Sequence, residues 1–250
     1  MFLIFSYMKK MIRILGKIIL IIIVLVGIYI LTLCFPQPFF EKKIKIGNIT
    51  VYSDKQIPTE IIEIVRTAEK KIKKSTIYRE DIKPKVFLAN DFWRWIYFAN
   101  IHYQVGGLAY VGIDNIFFRK VDIKANRLFG NSGKVASGDR TLDYFMAHEI
   151  THLLEFKSRP WYKYSISENW IQEGYCEYIG HDSQNYEASL KYYLEVPENT
   201  GAKRYTRLRT MVAYLLEKEK MNIADIWDKT NGYNSILLKA IPNGKPNIVN

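Results

Sequence analysis

From Ile18 to Phe35 the chain runs eighteen residues without a charge, broken in polarity only by Gly27 and Thr32. At 1.5 Å per residue such a helix rises about 27 Å, close to the hydrocarbon thickness of a bilayer. It has no polar face to turn to water, so a buried helix of a soluble core is a poor description of it. The run is expected to cross a membrane. Lys9, Lys10, Arg13 and Lys17 precede it, and the first 35 residues hold no acid. That asymmetry predicts a cytoplasmic N-terminus and a single pass, with everything after residue 35 outside the cytoplasm. Lys42, Lys43 and Lys45 follow closely and pull the other way.

The apolar run is longer than a usual signal core, and no small-x-small cleavage pattern follows it. Leu31-Thr32-Leu33-Cys34 is reminiscent of a lipoprotein cleavage box, but Leu33 is too bulky before the cysteine. An uncleaved anchor is therefore expected. Residues 1–7, MFLIFSY, sit oddly ahead of a basic segment, whereas a start at Met8 gives MKKMIRILGKIILIII, a cleaner export signal. Met8 is expected to be the true start, and a native N-terminal mass that includes residues 1–7 would refute this.

Residues 36–48, opening with Pro36-Gln37-Pro38, read as a stiff exit linker. Residues 49–230 form the expected domain and 231–250 a loosely ordered tail. Beyond the anchor 32 Lys and Arg face 25 Asp and Glu, a net +7. Such a balance more often serves solubility alone; outside a cell it would also suit anionic lipid or anionic surface polymers. Nucleic acid is not expected, since the charges are scattered and no binding motif is present. With only Cys34 and Cys176, no disulfide framework can form in the exported part, which suits a bacterial surface.

Within the domain, Ile49–Tyr52 and Lys85–Ala89 read as strands. Thr59–Lys74 reads as an amphipathic helix capped by Thr59. The aromatic stretch Asp91–Phe98 reads as a helix. Leu108–Phe118 reads as one strand, bulged at Gly112. Residues 130–138 read as a Gly/Ser-rich loop.

The chemistry concentrates at His148-Glu149-Ile150-Thr151-His152, an H-E-x-x-H sequence that holds two of the four histidines in the chain. Histidines at i and i+4 project from one helix face and can reach one metal ion. Glu149 can then act on water as a general base without ligating the metal. Leu142, Phe145, Met146, Ile150, Leu153 and Leu154 recur at helical spacing. Ser137, Asp139 or Thr141 is expected to cap that helix, and Pro160 to stop its continuation.

A catalytic metal of this kind takes three protein ligands. A further histidine six residues beyond the motif would mark another class, but Ser158 stands there, with Glu155 where that class has glycine. Downstream, Trp170-Ile171-Gln172-Glu173-Gly174-Tyr175-Cys176-Glu177-Tyr178 follows Ser165-x-x-Glu168, a capping-box spacing. Glu173 and Glu177 share a helix face. Glu173 is placed to ligate, Glu177 to accept an N–H from a ligand histidine, and Gly174 to let the two helices approach.

H-E-x-x-H followed by W-x-x-E-G-x-x-E-Y resembles the gluzincin metallopeptidases, the thermolysin- and M1-aminopeptidase-like clan called peptidase MA-like. The resemblance covers 139–219 well. It implies Zn2+ held by His148, His152 and Glu173, with Glu149 as base and Glu177 supporting a histidine. It also implies a tyrosine at the oxyanion. Tyr205, ahead of an apolar helix, matches that tyrosine, while a surface tyrosine among eighteen is an equal alternative. His181 is an alternative oxyanion donor but reads better as a helix-end residue, and His102 reads as structural.

The fold expected from these readings is α+β. It has a single N-terminal transmembrane helix, then a zincin-like domain with a small mixed sheet and a mostly helical C-terminal half. The function implied is a membrane-anchored zinc metallopeptidase. The chain carries no acidic exopeptidase motif upstream, and the Leu108–Phe118 strand could pair with an extended peptide. Endopeptidase action on a peptide or protein, or a narrow peptide substrate, is therefore favoured. A catalytically silent zincin-like binding or sensor module at the cell surface is the alternative.

Overall fold

The computed structural model describes residues 2–130, 133, 135–136, 140–182, 185–197, 200–228 and 232–242; side chains at 2–6 and 9 are not described. Contacts divide the chain into two units, Met1–Glu41 and Lys42–Asn250. The first is a helix, α1 (Phe2–Cys34), followed by a single 3-10 turn over Gln37–Phe39. Its Lys10–Cys34 portion is long and apolar enough to cross a membrane. At 25 residues it rises about 37 Å, more than the roughly 30 Å a bilayer core requires.

The second unit is α+β. Its sheet contains β1 (Lys42–Ile46), β2 (Ile49–Ser53), β3 (Lys85–Leu88), β4 (Gly107–Tyr110) and β5 (Asn115–Phe118), in the order β1-β2-β3-β5-β4. The inner strands β2, β3 and β5 run parallel, and the edges β1 and β4 pair antiparallel, so the sheet is mixed. β6 (Val121–Asp122) and β7 (Arg127–Leu128) form a separate two-stranded ladder. Between strands lie α2 (Ile61–Ile72) and α3 (Phe92–Ala99). The C-terminal half is helical: α4 (Leu142–Lys157), α5 (Trp161–Ile166), α6 (Asn169–Gly180), α7 (Tyr186–Glu195), α8 (Gly201–Glu217), α9 (Ile223–Trp227) and α10 (Tyr233–Ala240).

Several expectations change. Residues 42–46, expected as linker, form β1, whose lysines alternate with Ile44 and Ile46. A tight turn at Gly47, with φ of +57°, returns the chain into β2. Lysines along an exposed edge are a common guard against unwanted strand pairing. The single bulged strand expected over Leu108–Phe118 is a hairpin: β4 and β5 flank a turn containing Gly112, and Asp114 takes a φ of +56°. Thr59 does not cap α2; Glu60 holds that position, with no side-chain hydrogen bond to the helix. The Ser165 capping box does not form. Ser165 lies in α5, where its hydroxyl donates to the Trp161 carbonyl, and Glu168 caps α6. Residues 233–240 of the expected tail form α10, which buries Ile236, Leu237 and Ala240; 231 and 243–250 lie outside the described residues. The expected cap oxygens of Ser137 and Asp139, with most of the 130–138 loop, also lie outside them. Thr141 caps α4 in extended backbone, with no side-chain bond to the helix N–H groups.

Helix α4 is the centre of the domain, touching α2, α6, α5 and the edge strand β4. Twelve of its sixteen residues are buried, so it lies inside the layers and not on the surface. The α2–α4 seam is pinned by Lys71, whose Nζ lies 2.7 Å from Asp143 Oδ2 in the first turn of α4. Glycine sets two close approaches. A Cβ at Gly174 would lie 2.6 Å from the Leu208 carbonyl oxygen and 2.7 Å from Val212 Cγ2. Gly174 therefore brings α6 against α8, not against α4 as its place in the motif suggests. The α4–α6 approach is at Gly180, where a Cβ would meet Tyr144 at 3.0 Å.

Candidate metal centre

Two helical ladders of four-residue spacing face each other. On α4 the residues are Tyr144, His148 and His152; from α6 come Glu173, Glu177 and the C-capping His181. Residues four apart stack one above the next on a helix, so each ladder forms a single stripe. Where the stripes meet, His148 Nε2 lies 3.4 Å from Glu173 Oε2 and His152 Nε2 lies 3.8 Å from Glu173 Oε1. The residues singled out by the two motifs thus come together, with both imidazoles presenting Nε2 to one carboxylate.

The opposite edges of the rings are held by other carboxylates. His148 Nδ1 lies 3.3 Å from Glu177 Oε1. Glu177 is buried and surrounded. Tyr144 donates its hydroxyl to Glu177 Oε1, His181 Nε2 lies 3.3 Å from Oε2, and Arg140 Nη2 lies 3.6 Å from Oε2. Burial opposes the ionised Glu177, but His148, His181 and Arg140 outweigh it and hold its pKa well below the usual carboxylate range. Burial likewise opposes a charged His148, yet Glu173 and Glu177 beside it push its pKa up to about 10. Glu173 is shifted down: burial acts against its charge, and the two histidines more than offset that.

Glu149 faces the sheet. Burial raises its pKa, and the two histidines and the Ala109 N–H on β4 counter part of that rise. Gly107 makes room for it, since a Cβ there would lie 2.9 Å from Glu149 Oε1 and 2.6 Å from the Phe118 ring. The H-E-x-x-H glutamate is therefore set against the free edge of the sheet.

Tyr205 lies within α8, past its first turn, not ahead of the helix as the motif comparison suggested. The Arg140 guanidinium sits over its ring at 4.9 Å. Burial, with Glu173 and Glu177, raises its phenol pKa, which places it in the electrostatic field of the centre. His102 is exposed, in a short 3-10 turn between α3 and β4.

Sequence reading passed over Arg140, Tyr144, Glu155 and Cys176. Tyr144 could have been found, because it continues the His148–His152 spacing one turn back. Cys176 is a distinct candidate ligand: His148, His152 and Cys176 each offer an atom within 4.8 Å of the others. Its chemistry fits less well than that of Glu173. Burial and the neighbouring Glu155, Glu173 and Glu149 carboxylates raise its pKa well above the usual thiol range, and Sγ is 3.6 Å from Glu155 Oε2, to which it donates. Metal ligation uses the thiolate. Glu173 is already ionised and lies before both Nε2 atoms. Two imidazoles and an ionised carboxylate are a donor set for a divalent metal of borderline softness.

No protein-family sequence description matches the chain, and no curated protein sequence matches it.

The His148 shift carries a stability prediction for protein kept in chelator. A histidine whose pKa rises from 6.5 to about 10 on folding stabilises fully below 6.5 and loses that contribution as pH rises towards 10. In urea denaturation, the stability difference between wild type and His148→Gln should shrink steadily over that interval. A difference independent of pH would contradict the geometry.

Proposed function

We propose that the chain is a membrane-anchored zinc metallopeptidase of gluzincin type that cleaves internal peptide bonds. The observation that carries this reading is the convergence of His148 Nε2 and His152 Nε2 on the Glu173 carboxylate, with Glu149 one residue along the same helix and turned to a sheet edge. His148, His152 and Glu173 are the ligands. Zinc held there supplies a Lewis acid and lowers the pKa of a coordinated water to about 7.

Glu149 takes the proton as water attacks the peptide carbonyl, then passes it to the leaving amine. Its buried position and raised pKa suit a group that must both accept and release a proton near neutrality. Glu177 holds the His148 ring with Nδ1 towards it and Nε2 towards Glu173. The β4 edge supplies backbone groups for an extended peptide to pair with, which favours endopeptidase action. Tyr205 is assigned to the developing oxyanion, supported by its electrostatic coupling to Glu173. The basic residues in the first half of α1, ahead of its uncharged run, support an extracytoplasmic catalytic domain, and the basic balance of the rest suits anionic polymers at that surface.

Purified full-length protein in detergent, assayed on a mixed peptide pool with zinc measured in parallel, tests this reading. Glu149→Gln should keep stoichiometric zinc and lose hydrolysis by about 10²–10⁴-fold, the usual worth of a general base. His148→Ala and Glu173→Ala should lose the metal itself. Wild-type hydrolysis by Glu149→Gln would sink the assignment, and zinc without hydrolysis of any peptide would point to a binding module.

A further inference from the structure

His148 has Glu177 behind it; His152 has a carboxylate behind it too, one that neither motif contains. We propose that Glu155 is the positioning residue for His152. It holds the imidazole with Nδ1 protonated and Nε2 free for the metal, and is itself held by Trp227 and Arg159. The inference rests on the metal centre proposed above and adds to it a second support, built from a different part of the chain.

Glu155 follows His152 by three residues on α4 and is fully buried. One oxygen looks away from the centre. Trp227 Nε1 on α9 donates to Oε1 at 3.0 Å, and Arg159 Nη2 lies 3.9 Å from the same atom. The Arg159 guanidinium also covers the Trp227 ring at 4.3 Å, so the two partners brace each other. The other oxygen looks towards the centre. It accepts from Cys176 Sγ at 3.6 Å and lies 3.7 Å from His152 Nδ1. That nitrogen is buried and has no hydrogen bond among the described residues.

A carboxylate this deep is costly unless its lone pairs are satisfied. Helix packing alone would be served better by an apolar residue at 155. The arrangement repeats, for the second histidine, the relation Glu177 has to the first. An imidazole that donates from Nδ1 to a carboxylate must carry its free lone pair on Nε2, and both Nε2 atoms here face Glu173.

Glu155→Gln separates positioning from packing. The amide oxygen can keep the Trp227 bond, while the NH2 turned to His152 obliges Nδ1 to accept and shifts the ring proton to Nε2, the wrong tautomer for ligation. In full-length protein in detergent, chelator competition should show zinc affinity weakened by about 10–100-fold. Histidine 15N spectra of chelator-treated protein, at a pH above the His152 pKa, should show His152 as the Nδ1–H tautomer in wild type and Nε2–H in the variant. Unchanged affinity with an unchanged tautomer overturns the proposal. If wild type binds no zinc, the peptidase reading fails, and the tautomer comparison alone still decides whether Glu155 orients His152. Should Glu155→Gln not fold, Trp227→Phe decides: it keeps the ring under Arg159 and removes the N–H. A smaller loss of zinc affinity supports the clamp; wild-type affinity overturns it.

Discussion

Four carboxylates, Glu149, Glu155, Glu173 and Glu177, crowd around two histidines at the α4–α6 seam, and the local architecture depends on neutralising them. Three of the four are buried and Glu173 is largely so. Like charges at this depth are tolerated only when paired and hydrogen-bonded. The chain meets that demand from several directions: Arg140 and His181 on Glu177, Arg159 and Trp227 on Glu155, and the Ala109 N–H on Glu149. Glu173 relies chiefly on the two histidines, and Glu149 leans on them as well. A His148 held protonated up to about pH 10 marks how strongly this point attracts positive charge, and a divalent cation is the natural alternative to the proton there.

The rest of the fold positions these groups. The mixed sheet ends in β4, and glycine at 107 lets that edge come against Glu149. Gly180 lets α6 lie close to Tyr144 on α4, while Gly174 seats α6 on α8. Helix α6 is therefore held on both sides, which fixes the height of Glu173 opposite the histidines. The small C-terminal helices are part of the support, because α9 supplies Trp227 to a residue 72 positions earlier.

What was legible in the sequence was chemistry at fixed local spacing. His148, Glu149, His152, Glu173 and Glu177 were each readable because a helix turns i and i+4 into neighbours. The apolar N-terminal run was readable because its length meets a bilayer dimension. Contacts set by distant chain were not. Nothing near Glu155 announces Trp227, and nothing near Gly174 says which of two helices it will face. Local signals also misled where tertiary context won. The Ser165 spacing promised a cap, but Ser165 sits inside α5. Gly112 suggested a bulge, but the chain turns fully there into a hairpin. The lysines of 42–46 hid a strand, because an edge strand can carry charge on its open face.

The central claim is that His148, His152 and Glu173 hold a metal ion through nitrogen and oxygen only. X-ray absorption at the zinc edge, on full-length protein loaded with one equivalent, tests it most directly. The expected spectrum has an all-nitrogen/oxygen shell at about 2.0–2.1 Å with the outer-shell scattering of two imidazoles. A sulfur scatterer at about 2.3 Å would move the centre to Cys176, and failure to bind zinc at all would remove it.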